Sequence, residues 1–88
     1  MEIKLLPQAD EDIAYWKRIG DKRIMNRICT LLADILEHPF SGIGKPEPLK
    51  GTNGKWNRHI DFEYRIVYYV SSVFIYVYVF SLRFHYNK

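Results

Sequence analysis

A carboxylate, an arginine and a histidine in this chain could together cleave the backbone of RNA. They are Glu47, in a proline-rich segment, Arg65, at the start of an apolar segment, and His85, near the C-terminus. Attack by the 2′-hydroxyl on the adjacent phosphate needs a base for the hydroxyl proton, a cation for the phosphate and an acid for the departing 5′-oxygen. A carboxylate, a guanidinium and an imidazolium can supply these in that order, since the planar guanidinium binds two phosphate oxygens. These three residues are therefore the candidate catalytic set.

Strand pairing should bring Arg65 and His85 close together. Arg65 begins one predicted strand and His85 follows the end of the next, while the short Ser71-Ser72 turn joins those strands as a hairpin at the opposite end. Arg83 shares a face with His85, and Arg58 lies on the preceding strand, which should pair with the start of the strand that Arg65 begins. A single arginine or histidine more often has a structural role, so it is the convergence of these residues that favours a site.

The segment around Glu47 should hold its carboxylate in one place. Lys45 and Glu47 each precede a proline, which disfavours helical geometry at these residues and favours an extended backbone. A stiff extended segment positions a side chain at low entropic cost. An acid in a loop is ordinarily just solvated, but beside Arg65 and His85 this carboxylate would complete an acid–base pair over a phosphate.

The elements that must position these residues are two helices and four strands, in the order β-α-α-β-β-β. Pro7 suits the first position of a helix that should stop near Gly20. Asp21 is a good N-cap for a second helix, which Pro39 should end. We expect one α+β domain over residues 1–88, with two N-terminal helices packed on a four-stranded antiparallel sheet. The strands are predicted at residues 2–6, 55–62, 64–70 and 73–84.

Size and charge limit the classes of protein to which the chain can belong. Its 88 residues suit one small domain, and no window is long and apolar enough for a transmembrane helix. No secretory signal is evident and the single cysteine, Cys29, cannot form an internal disulfide, so we expect a cytoplasmic protein without membrane association. Residues 41–88 carry seven Lys and Arg against three acids. This excess indicates either an anionic partner, such as nucleic acid or an acidic protein tail, or a solvated basic surface.

No residue pattern indicates a metal or a nucleotide cofactor. The three histidines and the cysteine lack the spacing of zinc ligands, no carboxylate cluster suggests magnesium, and no glycine-rich loop leads into a helix. We therefore expect catalysis without metal or cofactor. The aromatic residues at positions 74, 76, 78 and 80 could stack on bases, but the β-branched residues between them favour packing in a core or a dimer instead.

Several segments resemble the RelE superfamily of bacterial messenger-RNA-cleaving toxins, and in particular its YoeB (Txe) branch. The resemblance covers nearly the whole chain, including Gly54-Lys55-Trp56-Asn57-Arg58. It is most specific in the combination of Gly44-Lys45-Pro46-Glu47-Pro48-Leu49-Lys50, Arg65-Ile66-Val67-Tyr68 and His85-Tyr86. It implies an endoribonuclease that acts on translated messenger RNA in the ribosomal A site, commonly as a homodimer. It also implies an antitoxin of the YefM/Axe type, whose disordered tail folds over the toxin.

The resemblance implies roles for individual residues as well. Glu47 resembles the general base of the family, Arg65 its phosphate-stabilising arginine and His85 its general acid. Tyr86 resembles the terminal aromatic residue that positions the substrate or stacks on it. The residues expected to bind substrate or ribosomal RNA are Lys45, Lys50, Lys55, Arg58, His59 and Arg83.

The chain departs from the family pattern at His59, where a second arginine is common, and at Tyr64, where a histidine is common. Its last hairpin is two residues longer, and residues 87–88 extend beyond the usual C-terminal pair. Two other interpretations are a non-catalytic relative, such as a ParE-like gyrase poison, and a basic RNA-binding module. The presence of Glu47, Arg65 and His85 favours the ribonuclease, because a gyrase poison has no need of that set.

Overall fold

The structure, a computed structural model, describes residues 2–79 and has two helices and five strands within that range. In chain order these are β1 (Glu2–Leu5), α1 (Pro7–Ile19), α2 (Lys22–Glu37), β2 (Glu47–Pro48), β3 (Lys55–His59), β4 (Arg65–Val70) and β5 (Phe74–Val79). The predicted catalytic residues His85 and Tyr86, the predicted RNA-binding residue Arg83 and the end of the last predicted strand lie outside the described residues.

The five strands form one mixed sheet in the spatial order β1-β5-β4-β3-β2. The predicted α+β architecture is confirmed, but the four-stranded antiparallel sheet is wrong in two respects. β1 runs parallel to β5, with Glu2 opposite Phe74 and Leu5 opposite Val77. This pairing is possible because the two helices form a long connection that returns the chain to the sheet at its far edge. There, Glu47–Pro48 adds a fifth strand antiparallel to β3.

The helices begin and end where the sequence places their capping residues. Pro7 occupies the first turn of α1, and Gly20 closes that helix in the left-handed region at φ 72°, a conformation that glycine adopts at little cost. The Asp21 side chain caps α2 by accepting a hydrogen bond from the Ile24 N–H at 3.1 Å. α2 ends at Glu37, two residues before Pro39. These bounds confirm both predicted helices.

One face of the sheet packs on the helices and forms the core. Its buried members are Ala9 and Trp16 from α1, Ile24, Ile28, Leu31 and Ile35 from α2, and Ile60, Ile66, Tyr68, Ile75 and Val77 from the sheet region. Since side chains alternate along a strand, Arg65, Val67 and Tyr69 of β4 project from the opposite face. Within the described part of the chain, neither helix has the length and apolar character needed to cross a bilayer.

Candidate active site

The candidate site lies on the face of the sheet opposite the helices, where β2, β3 and β4 adjoin. Glu47 of β2 is opposite Asn57 of β3, and His59 of β3 is opposite Arg65 of β4. Residues that are directly opposite in an antiparallel pair share a face, and Asn57 and His59 are two residues apart on one strand. The strand register therefore places Glu47 and Arg65 on one face of the sheet, on the two strands that flank β3, with Asn57 and His59 between them.

Asn57 connects the two candidate catalytic residues that the structure describes. Its Oδ1 accepts a hydrogen bond from Arg65 Nη1 at 3.4 Å, and its Nδ2 donates to the main-chain carbonyl of Glu47 at 3.3 Å. The Asn57 side chain is buried, with 1% of its surface exposed, whereas Glu47 is exposed at the sheet edge. The amide of Asn57 thus sets the spacing between the β2 edge and the guanidinium, while the Glu47 carboxylate stays available to solvent.

A cavity of about 600 Å³ opens beside Arg65, and Glu47 is not among its lining residues. It is lined by Arg27, Gly44, Lys45, His59, Asp61, Phe62 and Arg65. Its volume falls in the range of small-ligand sites. Asp61 is the one acid of the lining, and its carboxylate is already engaged: Oδ1 accepts from the N–H groups of Glu63 and Tyr64, and Oδ2 pairs with Arg23 at 3.3 Å. The lining is therefore electropositive, which suits a phosphate.

His59 contributes a neutral imidazole to this lining. Partial burial of the ring lowers the pKa of His59 below its ordinary value of 6.5, and the nearby charges of Arg65 and Lys45 lower it further. The carboxylate of Glu47 opposes this effect and raises the pKa in part. At neutral pH the imidazole is thus uncharged and has one nitrogen that donates and one that accepts a hydrogen bond. Its contact with RNA stays a prediction, and its place in the cavity is compatible with it.

The backbone at Lys45 differs from the predicted extended conformation. Lys45 has φ 54°, in the left-handed region, while Glu47 is extended within β2 as predicted. The difference arises because the Gly44 carbonyl accepts a hydrogen bond from the His59 N–H at 2.7 Å, which draws the loop onto β3. Gly44 has φ 79°, and a Cβ there would lie 3.1 Å from the His59 carbonyl oxygen and 2.8 Å from Leu31 Cδ2, so the backbone conformation and the close packing both favour glycine. A non-glycine residue such as Lys45 in the left-handed region costs about 1–3 kcal/mol of backbone strain. The strained residue lies at the rim of the cavity.

Arg58 does not supply a solvent-facing cation, and the prediction that it binds RNA is corrected by its burial. Its side chain is completely buried, because Arg58 is opposite Ile66 in β4 and so points toward the helices. All three of its nitrogens donate hydrogen bonds within the protein. The acceptors are Asp34 Oδ2 at 2.5 Å, Ile43 O at 3.1 Å, Ser41 O at 2.7 Å, His38 O and Tyr68 Oη at 3.2 Å.

The Arg58 guanidinium instead fixes the loop that leads to the site. Three of its acceptors are main-chain carbonyls between residues 38 and 43, immediately before Lys45 and Glu47. Asp34 also accepts from the Ile43 N–H at 3.1 Å, and its hydrogen bond with Arg58 lowers the pKa of the Asp34 carboxyl below 3.8. The Tyr68 hydroxyl donates to the Pro39 carbonyl at 2.7 Å. Arg58 is thus a positioning residue for the segment that carries the predicted base.

The remaining predicted residues are placed less closely together. Lys45 lines the cavity, but Lys55 lies at the opposite end of β3 from His59. Lys50 is exposed and lies two residues after Pro48, the last residue of β2. Pro48 is opposite Trp56 of β3, which is next to Lys55 in the chain. These two lysines form a separate basic region, and their contact with RNA stays a prediction. So do the roles of Arg83, His85 and Tyr86, which lie outside the described residues.

Four side chains of the site were missed by the sequence reasoning, those of Asn57, Arg27, Asp61 and Phe62. Asn57 could have been found from strand alternation, since it shares a face with His59. Arg27 and Phe62 depend on how α2 packs against the turn between β3 and β4, where Arg27 Nε donates to the Ile60 carbonyl at 3.2 Å. No sequence pattern reports that packing. Within residues 2–79, no three metal-ligating side chains come together, and the expected independence from metal stays a prediction.

Comparisons with known proteins place the chain among the toxins of the RelE/ParE superfamily. The family model described as "YoeB-like toxin of bacterial type II toxin-antitoxin system" matches residues 6–86. The chain therefore belongs to the YoeB-like toxin family. Toxin YoeB of Streptomyces coelicolor is 45% identical over 69 residues, which cover 77% of this chain and 81% of that protein.

Two solved structures extend the similarity over almost the whole chain. The YoeB dimer from Staphylococcus aureus matches with a TM-score of 0.86 at 34% identity, covering 100% of this chain and 98% of that one. A chain of the heterotetrameric YoeB-YefM toxin-antitoxin complex from the same organism matches with a TM-score of 0.82 at 35% identity, covering 98% and 95%. The protein is therefore a toxin of a type II toxin-antitoxin system.

Proposed function

We propose that this toxin is a metal-independent endoribonuclease that cleaves translated messenger RNA by attack of the 2′-hydroxyl on the adjacent phosphate. The observation that carries the proposal is the placement of Glu47 and Arg65 on one face of the sheet, joined through Asn57. The electropositive cavity that Arg65 lines gives the phosphate a place to bind. Glu47 and Arg65 lie on the two strands that flank β3, so an exposed carboxylate and a guanidinium face the same side of the sheet.

Each catalytic task has a candidate group. The carboxylate of Glu47 takes the proton of the 2′-hydroxyl, whose oxygen then forms a bond to phosphorus. The guanidinium of Arg65 binds the phosphate oxygens as charge develops on them. His85 gives a proton to the 5′-oxygen as the bond from that oxygen to phosphorus breaks, and Tyr86 positions the substrate. The products are a 2′,3′-cyclic phosphate on one fragment and a 5′-hydroxyl on the other.

The family also suggests the partners of this chain. The similar toxin from S. aureus has been solved as a dimer and in complex with YefM, and we propose a homodimer and a YefM-like antitoxin here. An acidic or amphipathic segment of such an antitoxin would complement the electropositive cavity and order on binding. A cytoplasmic location, where ribosomes and messenger RNA are found, follows from the same proposal.

Cleavage should depend on the ribosome. Free RNA rarely holds its 2′-hydroxyl in line with the leaving oxygen, and a scaffold that fixes this alignment removes an entropic cost of up to roughly 7–11 kcal/mol. We expect one message to be cut at least about 100-fold faster on programmed ribosomes than free in solution, and binding to weaken with salt. The measurement compares initial rates at low toxin concentration. Equal rates on both substrates would contradict ribosome dependence, and a bound but uncut message would contradict the nuclease.

A further inference from the structure

Phe62 is an exposed aromatic side chain at the rim of the electropositive cavity. Its relative exposure is 102%, whereas no other large apolar side chain among those that the structure describes exceeds 55%. It lines the cavity together with Arg27, Lys45 and Arg65. A phenylalanine left wholly in water contributes nothing to the core, so its position is unexplained by the packing of this chain.

The turn that carries Phe62 is held firmly on both sides. Asp61 Oδ1 accepts from the N–H groups of Glu63 and Tyr64, both at 2.9 Å, and the Tyr64 carbonyl accepts from the Ile60 N–H at 2.8 Å. These bonds close the turn around Phe62. A side chain on a preorganised turn loses little freedom when a ligand binds to it.

Two arginines of α2 fasten this turn to the body of the protein. Arg23 pairs with Asp61 Oδ2 at 3.3 Å, and Arg27 Nε donates to the Ile60 carbonyl at 3.2 Å. The turn therefore keeps a defined position relative to the helix and to the start of β4. Arg65, whose guanidinium is proposed to bind the phosphate, begins β4. Phe62 precedes it by three residues in the chain, and both side chains line the same cavity.

An exposed aromatic ring beside a cationic groove is the combination that binds single-stranded nucleic acid. Bases stack on the ring while cations follow the phosphates. The charge of this cavity favours a polyanion over an apolar peptide, because Arg27, Lys45 and Arg65 line it and the carboxylate of Asp61 is engaged. Stacking needs a flat ring, and Phe62 provides one in full contact with solvent.

We propose that Phe62 is a stacking platform for an unpaired base of the RNA that this cavity binds. The inference rests on the proposed function, because RNA is taken as the substrate, and it adds a residue that recognises the base next to the groups that act on the phosphate. The aromatic face contacts the substrate directly but takes no part in proton transfer. Its loss should therefore weaken binding more than it slows the chemical step.

Substitution of Phe62 tests the role of the ring in cleavage. Phe62→Ala should raise KM on programmed ribosomes by about 5- to 100-fold, the range that stacking of one base supports, with little change in kcat. Phe62→Leu should lose affinity as Phe62→Ala does, because it keeps apolar area without a flat ring, and Phe62→Trp should retain it. Thermal melting should not change, since the side chain is exposed. Val73→Ala is the matched control, because Val73 is an apolar residue of another turn with 55% exposure, and its KM should stay that of the wild type.

A binding measurement separates this inference from the proposed function. A single-stranded 2′-deoxy oligonucleotide should quench the tryptophan fluorescence of the Phe62→Trp variant more than that of the wild type. An oligonucleotide with one abasic site, at the position whose base stacks on residue 62, should not cause this additional quenching. Quenching by the oligonucleotide, together with no cleavage of a message on programmed ribosomes by the wild type, would support the platform while contradicting the nuclease. If the wild type cleaves the message and Phe62→Ala has an unchanged KM, the stacking platform is wrong while the proposed nuclease function stands. Loss of antitoxin affinity in Phe62→Ala with unchanged RNA affinity would also overturn the platform, since the ring would then be a protein contact.

Discussion

Replacing Glu47 with glutamine should slow message cleavage by about 10²–10⁴-fold, the contribution typical of a general base. The amide keeps the size of the carboxylate but cannot accept the 2′-hydroxyl proton. The fold should be unaffected, because β2 is exposed and Asn57 holds it through the main-chain carbonyl of Glu47. The measurement is the single-turnover cleavage rate of a message on programmed ribosomes, with circular dichroism and thermal melting to verify the fold.

The matched control is Glu63→Gln. Glu63 is an exposed acid in the turn between β3 and β4, so this variant makes the same change in net charge close to the same cavity. It should cleave at close to the wild-type rate. If folded Glu47→Gln cleaves as fast as Glu63→Gln, Glu47 is not the base. Arg65→Lys should also cleave poorly, because an ammonium lacks the planar fork that binds two phosphate oxygens.

Replacing Arg58 with alanine should destabilise the protein by about 2–5 kcal/mol, because it leaves a cavity in place of a completely buried side chain and removes the donor of several buried hydrogen bonds. The loss removes the Arg58 donor from three loop carbonyls and from the Asp34 carboxylate, which keeps the hydrogen bond from the Ile43 N–H. Since small domains are stable by only about 5–15 kcal/mol, this change is a large fraction of the total. The measurement is the urea concentration at the midpoint of unfolding, compared between variants whose free energy of unfolding depends on urea concentration with the same slope.

Arg23→Ala provides the comparison for Arg58→Ala. Arg23 pairs with Asp61, but its side chain is 71% exposed, and an exposed pair is worth at most about 1 kcal/mol. It should therefore shift the urea midpoint far less. If Arg58→Ala left the midpoint unchanged and only weakened RNA binding, Arg58 would be a substrate cation and the positioning role would be wrong.

The Arg58–Asp34 pair also predicts how stability changes with pH. The hydrogen bond from Arg58 lowers the pKa of Asp34 in the folded state. The contribution of this pair is therefore fully present above the unfolded pKa of about 3.9, and it is lost as the pH falls through the lower, folded pKa.

Helix bounds and most strand positions could be predicted because local rules determine them, but the strand predicted at residues 55–62 ends at His59, since the Asp61 side chain closes a turn over residues 61–64. Pro7, Gly20, Asp21 and Pro39 act on the backbone within one turn, and alternation identifies the strands. The parallel pairing of β1 with β5 could not be predicted, because it joins segments about 70 residues apart in sequence. The order of strands in space is set by packing, which no local pattern reports.

The error at Arg58 arose from strand register. The sequence places Arg58 and Arg65 on neighbouring strands, but which of them share a face depends on the pairing, and a shift of one residue reverses every side chain. The actual register pairs Arg65 with His59 and Arg58 with Ile66. One arginine therefore reaches the candidate site while the other is buried toward the helices. An arginine in a sequence is usually interpreted as an exposed cation. Arg58 has a structural role instead, because α2 and the loop after it supply acceptors for its guanidinium.

The chemistry of the message ends tests the central claim most directly. Programmed ribosomes are treated with the toxin, and the termini of both message fragments are determined. We predict a 2′,3′-cyclic phosphate or a 3′-phosphate on the upstream fragment and a 5′-hydroxyl on the downstream fragment, because the 2′-oxygen is the nucleophile and Glu47 its base. A 3′-hydroxyl on the upstream fragment with a 5′-phosphate on the downstream fragment would instead indicate metal-directed hydrolysis by water, and would contradict the mechanism.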